Sequence, residues 1–161
     1  MVSGARLAEI LELARKDVCQ VEDVWCFLIE PGPGRLLKNK ESARVVPIHS
    51  YLIKLGFLDW LSKQPKGDKV FPILCDKGKE LVSIFFSKRI LKGWKTPAIT
   101  LHSLRHTLTQ KLARARTYPA LQNRLLGHAI GTSVEDRVYL GRLEFTVKEL
   151  SEALEAVTFP I

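Results

Sequence analysis

The chain has 161 residues, of which 46% are hydrophobic and 26% charged, and its formal net charge is +8. This length and composition are typical of one globular domain with a proper core, and they exclude a disordered or fibrous chain. No apolar run approaches the ~18 residues of a membrane span, and no secretory pattern opens the chain, so we expect a cytoplasmic protein.

The cysteine pattern agrees with that compartment. Cys19, Cys26 and Cys75 form an odd, scattered set without C-x-x-C spacing. Such a set predicts unpaired thiols in a reducing environment, and neither disulfides nor a zinc site.

The positive charge is concentrated in one part of the chain. No Asp or Glu lies between Leu81 and Val134, but nine basic residues do: Lys88, Arg89, Lys92, Lys95, Arg105, Lys111, Arg114, Arg116 and Arg124. A field of one sign attracts polyanions, among which nucleic acid is the commonest, although a basic surface can also serve solubility alone. The segregation therefore favours a nucleic-acid partner.

The N-terminal third predicts a helix followed by a small sheet. Apolar spacing predicts a helix over residues 4–13, with Ser3 as N-cap and Arg6 in its first turn. A cation is unfavourable at that end of a helix, so Arg6 hints at another role. Residues 18–29 and 44–48 are β-like, and the polar turn between them carries Lys38 and Lys40.

Helices are predicted for most of the remaining chain. We expect one helix over residues 51–61 and another over residues 78–94, the latter with an inward face of Leu81, Ile84, Phe85, Ile90 and Leu91. A helix from Pro119 stops at Gly127, and a short helix over residues 134–140 carries Tyr139. A capping box at Thr146 and Glu149 opens a last helix that ends near residue 157. The predicted fold class is mainly α with a small antiparallel β-sheet near the N-terminus (α+β).

The segment from Leu101 to Thr107 has the pattern of an anion site. His102 and Arg105 are three residues apart, so they lie on one side of an amphipathic helix and can reach a common ligand. Arginine offers a planar fork of donors, and histidine can donate or accept, which together suit an oxyanion. Alone, this pair is more often an ordinary part of a helix surface.

Four short segments occur in an order that resembles a known family. They are GARLAEI (4–10), LHSLRHT (101–107), LLGH (125–128) and VYL (138–140). Each is a weak signal alone, but four in order at family-like distances are a strong one. The chain resembles the catalytic domain of the tyrosine recombinases, the phage-type integrases, over residues 2 to about 143.

The resemblance implies a catalytic set around a scissile phosphate: Arg6, His102, Arg105, His128 and the nucleophile Tyr139. It also implies a general-acid lysine on the hairpin turn, for which we favour Lys38 and keep Lys40 as the alternative. A phenol is almost wholly protonated at neutral pH, a deficit of roughly 4 kcal/mol that a base and a positive field must offset. The scheme calls for no metal and no cofactor.

The same resemblance sets the expected partners. They are double-stranded DNA, with contacts expected from Arg44, Lys95, Lys111 and Arg114, and further copies of the chain in a tetramer on DNA. We expect residues 1–161 to be a single catalytic domain without the family's core-binding domain, from a bacterial or archaeal host or a phage. Residues 144–158 are expected to dock either in cis or on a neighbouring subunit.

Three rival interpretations remain open. His102 and His106 have the spacing of a metal pair, but the intervening Arg105 repels a cation, so we expect His106 to be a buried or supporting residue. A non-catalytic helical DNA-binding module would explain the charge but leave Arg6, His128 and Tyr139 without a role. A type IB topoisomerase would share the chemistry.

Overall fold

A computed structural model describes residues 3–32, 35, 37, 42–64, 68–72, 78–92, 99–128 and 144–159. These residues are mostly helical and include a three-stranded antiparallel sheet near the N-terminus, which confirms the predicted α+β class. In the part of the chain described, no helix is both long and apolar enough to cross a membrane. The helices are α1 (Leu7–Leu11), α2 (Ser50–Lys54), α3 (Phe57–Lys63), α4 (Gly78–Phe85), α5 (Leu101–Arg114), α6 (Pro119–Leu126) and α7 (Val147–Glu155), with a 3-10 turn at Arg15–Asp17.

The sheet has the order β1 (Val18–Val21), β2 (Val24–Ile29) and β3 (Arg44–Pro47). The single β-like run predicted over 18–29 is in fact a hairpin, because Glu22 and Asp23 both take left-handed backbone angles, with φ of 49° and 63°. Two such residues give the tight turn whose twist matches the flanking strands. β2 pairs with β3 as far as Ile29 and Arg44. The connection between those strands carries Lys38 and Lys40, which lie outside the described residues.

The single helix predicted over 51–61 was wrong. α2 and α3 are separate, and Gly56 between them has a φ of 85°, a conformation that favours glycine. The side chain of His49 caps α2 by accepting a hydrogen bond from the backbone N–H of Tyr51 at 2.9 Å.

The predicted inward face of the helix over 78–94 was also wrong in large part. Leu81, Ile84, Phe85 and Ile90 are 41 to 59% exposed, whereas Phe86 is buried. α4 is followed by a π-helical turn at Phe86–Ile90, and this wider turn alters the angular spacing on which an apolar stripe depends. Amphipathic spacing reveals an apolar stripe but not the element that covers it.

The basic half and the C-terminal helix share one hydrophobic core. Leu108 and Leu112 of α5 and Leu125 and Leu126 of α6 pack with three residues of the C-terminal segment, namely Leu150, Leu154 and Val157. Thr146 and Glu149 form the predicted capping box of α7. α7 therefore packs in cis on the body of its own chain, and docking on a neighbouring subunit stays a prediction.

Polar contacts hold the end of this C-terminal segment. His49 Nε2 lies 3.0 Å from the carbonyl oxygen of Val157, and the hydroxyl of Ser50 donates to Glu155 at 2.7 Å. The rings of His49 and Tyr51 both pack against Phe159, at centroid distances of 5.1 and 5.8 Å. The segment after α7 is thus tied to the start of α2.

Leu154→Ala tests whether this cis packing stabilises the fold. Leu154 is fully buried, so we expect the free energy of unfolding to fall by about 2–5 kcal/mol. Glu152→Ala, on an exposed position of the same helix, should change it by less than about 0.5 kcal/mol. Denaturant unfolding measures both, and equal, small effects would contradict the cis packing.

Candidate active site

Arg6 stands at the N-terminus of α1, held there by the turn at Gly4. Gly4 has a φ of 67°, and a Cβ on it would lie within 2.9 Å of the side chains of Leu108 and Leu126. The chain therefore turns closely over α5 and α6 before α1 begins. Arg6 itself is the N-cap of α1, which corrects the prediction of Ser3 for that position.

Glu9 fixes the Arg6 side chain. Its carboxylate accepts from Arg6 Nη1 at 2.6 Å and from the Arg6 backbone N–H at 2.7 Å. Arg6 Nη1 also donates to the hydroxyl of buried Ser42 at 3.0 Å, and Arg6 Nη2 donates to the carbonyl oxygen of Gly127 at 3.1 Å. The Arg6 side chain keeps 23% of its surface exposed, so it can still meet a ligand.

The same carboxylate binds a second arginine. Arg44 Nη2 donates to Glu9 at 3.0 Å and Arg44 Nη1 at 3.3 Å. Burial alone would raise the pKa of Glu9, but the hydrogen bonds and charge of Arg44, with the hydrogen bonds from Arg6, outweigh it and lower the pKa below its ordinary value. Glu9 is therefore ionised at neutral pH and balances two guanidinium groups.

Arg44 does not lie where the sequence placed it. We expected it on a DNA-binding surface, but its side chain is 0% exposed and its Nε donates to the carbonyl oxygen of Leu125 at 2.9 Å. Burial lowers the pKa of Arg44, and the hydrogen bonds and charge of Glu9 oppose this effect only in part. A guanidinium in this position cannot touch a phosphate at the protein surface.

Arg105 is the third arginine of the site. It is 3% exposed, and it donates to the carbonyl oxygens of Gly4 and Leu126 and, at 2.8 Å, to His128 Nε2. Burial lowers its pKa to about 10, and the charges of Arg6 and Arg44 add to that effect. It remains charged at neutral pH, and its carbonyl bonds fix the plane of the guanidinium.

The backbone at the end of α6 positions His128. Gly127 has a φ of 63°, and the N–H of His128 turns back to the carbonyl oxygen of Asn123 at 2.9 Å, which closes the helix. Burial lowers the pKa of His128 below its usual 6.5, with further lowering by Arg105, Arg6, Arg44 and His102. Because arginine only donates, His128 Nε2 accepts and the ring proton sits on Nδ1.

A cavity of about 260 Å³ opens beside these groups. It is lined by Ala5, Arg6, Leu7, Ser83, Thr100, Leu101, His102 and Arg105. Arg6 and Arg105 thus reach the same space as the exposed His102. His106, expected to be a buried or supporting residue, is exposed, and its ring packs edge-on against that of His102 at 4.8 Å between centroids.

The structure brings together four of the predicted site residues. Arg6, His102, Arg105 and His128 converge, although they come from segments up to 122 positions apart. Tyr139, Lys38, Lys40 and Lys95 lie outside the described residues, so their roles stay predictions.

Two predicted DNA contacts lie on α5. Lys111 donates to the carbonyl oxygen of Thr158 at 2.8 Å and lies over the ring of Phe159, so it holds the C-terminal segment. Arg114 is exposed in the last turn of the helix, as a phosphate contact requires.

Residues 1–141 match the family model described as the phage integrase family. The chain belongs to this family. Phage integrases are tyrosine recombinases that act on DNA, so DNA recombination and integration are the processes to which this chain is assigned. No curated protein and no solved structure gave a match.

Sequence reasoning missed the groups that support the integrase site. Glu9 lies three residues after Arg6, the spacing of a capping box, and that signal could have paired them. The carbonyl oxygens that orient Arg105 and Arg6 leave no mark in the sequence, because every residue has a carbonyl.

Glu9→Gln tests the buried ion pair through pH. The lowered pKa of Glu9 means that its contribution to stability is present at neutral pH and is lost as pH falls below 4.5. The variant leaves Arg44 without a counter-charge, so we expect the free energy of unfolding to fall by about 3–5 kcal/mol at neutral pH. We also expect that free energy to decrease less steeply in the variant as the pH is lowered. Denaturant unfolding at several pH values measures this; Glu12→Gln is the control, since Glu12 forms no ion pair within the described residues. Parallel acid profiles for Glu9→Gln and the unmodified protein would contradict the role of Glu9.

Proposed function

We propose that this integrase-family chain is the catalytic domain of a site-specific DNA recombinase. Tyr139 attacks a DNA phosphodiester, forms a 3′-phosphotyrosine and releases a 5′-hydroxyl, and the reverse reaction rejoins strands. The bond energy is conserved in the covalent intermediate, so the scheme uses neither ATP nor a metal. The observation that carries this proposal is the convergence of Arg6, His102 and Arg105 on one cavity, with His128 bonded to Arg105.

The arginines suit the charge that develops during the attack. A phosphorane-like transition state carries more negative charge than the diester, and donors fixed in advance stabilise it without reorganising. Arg105 is held by two backbone carbonyls, and Arg6 is held by Glu9, Ser42 and Gly127. Each guanidinium is thereby fixed in plane beside the cavity.

The two histidines of the site have different roles in this scheme. His102 lines the cavity, is exposed and is the proton acceptor for the tyrosine. His128 is neutral with its proton on Nδ1, and it faces Arg105, so it takes part in holding a phosphate oxygen. The leaving 5′-oxygen needs a proton, which Lys38 supplies, with Lys40 as the alternative.

Recombination joins two DNA sites, so the active species is an assembly. We expect a tetramer on double-stranded DNA, in which α7 exchanges its cis position for the equivalent surface of a neighbouring subunit. The acidic residues Glu149, Glu152 and Glu155 of α7 suit a basic protein surface better than DNA.

Tyr139→Phe tests the nucleophile. Incubation with a nicked suicide duplex traps a covalent protein–DNA adduct, which denaturing electrophoresis resolves. We expect an adduct from the unmodified protein and none from Tyr139→Phe, with DNA affinity retained, because only the phenolic oxygen is lost. Tyr118→Phe, at an exposed tyrosine before α6, is the matched control and should form the adduct. DNA binding without any adduct from the unmodified protein would favour the non-catalytic module.

A 5′-bridging phosphorothioate substrate tests the general acid. A thiolate leaves without needing a proton, so this substrate should restore cleavage to a Lys38→Ala variant that is slow on ordinary DNA. Single-turnover adduct formation on the two substrates gives the comparison. Rescue of Lys40→Ala in its place would assign the proton to Lys40, and rescue of neither would remove the hairpin lysines from that role.

A further inference from the structure

Among the described residues, Arg44 is a buried cation that the proposed mechanism does not use. It starts β3, and its guanidinium reaches across to the C-terminus of α6, where Nε donates to the carbonyl oxygen of Leu125. Nη1 donates to the carbonyl oxygen of Ser42 at 2.7 Å, and both terminal nitrogens donate to Glu9. Four N–H groups of the guanidinium are therefore engaged inside the protein.

Gly127 shows how closely Arg44 approaches this turn. A Cβ on Gly127 would lie 2.6 Å from Arg44 Nη1, 2.9 Å from Cζ and 3.2 Å from Nε. The flat guanidinium thus covers the face of Gly127 on which a side chain would stand. Gly127 is needed both for its left-handed backbone and for the room that Arg44 occupies.

The turn that Arg44 touches carries two parts of the candidate site. The carbonyl oxygen of Gly127 accepts from Arg6, and the next residue is His128, whose ring meets Arg105. Arg44 also shares Glu9 with Arg6. A displacement of the Arg44 guanidinium would therefore move the acceptors that orient Arg6 and the turn that carries His128.

We propose that Arg44 is a positioning residue, which fixes the turn from Leu125 to His128 against β3 and so aligns Arg6 and His128 for phosphate chemistry. This inference rests on the proposed function for its catalytic consequence. It also ties the strand that follows the lysine-bearing connection directly to the phosphate pocket, since Arg44 is the first residue of β3.

Arg44→Lys tests the hydrogen-bond geometry of the guanidinium separately from its positive charge. Lysine keeps a cation near Glu9, but its single nitrogen cannot reach Leu125, Ser42 and Glu9 together. We expect an unchanged affinity for duplex DNA and a rate constant for adduct formation that falls roughly 10²-fold, the cost of a small misplacement of reacting groups. The matched control is Arg15→Lys. Arg15 is a partly buried arginine whose Nη2 donates to the carbonyl oxygen of Leu61, and this variant should leave both the rate constant and the DNA affinity unchanged.

Two outcomes of that comparison would overturn the proposal. Equal losses of rate and DNA affinity in Arg44→Lys would make Arg44 a DNA contact, as the sequence predicted. An unchanged rate would reduce it to a counter-charge for Glu9. The double variant Glu9→Gln/Arg44→Met guards against a misfolded single variant, because it removes both charges of the buried pair. Glu9→Gln alone already loosens Arg6, so the double variant is compared with that single variant. We expect the double variant to be slower than Glu9→Gln, and a rate equal to or above that of Glu9→Gln would leave only charge balance.

A geometric readout keeps this inference distinct from the proposed function. The ring proton resonances of His128, assigned among the four histidines by His128→Ala, report its surroundings without any DNA reaction. We expect them to shift in Arg44→Lys and to stay unchanged in Arg15→Lys. Unshifted resonances in Arg44→Lys would overturn the positioning role, whereas an unmodified protein that forms no adduct would overturn the proposed function alone.

Discussion

The guanidinium groups of three arginines donate hydrogen bonds to three successive carbonyl oxygens at the C-terminus of α6. Arg44 donates to that of Leu125, Arg105 to that of Leu126 and Arg6 to that of Gly127. The last carbonyls of a helix have no intrahelical partner and carry partial negative charge, so cations are favourable there. The candidate site is built on this helix end, because the same guanidinium groups reach Glu9, His128 and the cavity.

The electrostatic consequence is a pocket that keeps net positive charge. Three guanidinium groups lie close together, and two of them, those of Arg6 and Arg44, share the buried carboxylate of Glu9. Burial lowers the pKa values of Arg105 and His128, and the charges of the neighbouring arginines add to that effect. An anion in the cavity would relieve the repulsion among these cations. The fixed orientation of the arginines and the attraction of the pocket for anions therefore have one cause, because the backbone carbonyl oxygens hold the cations close together.

The sequence predicted which residues converge better than the contacts that hold them. Apolar periodicity and capping residues were enough to predict α5, α6 and α7. The four short segments singled out Arg6, His102, Arg105 and His128, which the structure brings together, and their catalytic roles stay predictions. The burial of Arg44 could not be predicted, because its partners are a carboxylate 35 residues away and a carbonyl 81 residues away. The predicted inward face of α4 was wrong for a related reason, since apolar periodicity does not show which element packs against a helix.

The pocket joins distant parts of the chain, and this orders its appearance during folding. Arg105 bonds to a carbonyl 101 residues earlier, and Arg6 to one 121 residues later. Contacts of such separation form only after the loop-closure entropy between them has been overcome. A nascent or partly unfolded chain therefore holds its arginines apart and presents no assembled anion site. The reaction proposed for the pocket is withheld until the N-terminal segment has docked on α5 and α6.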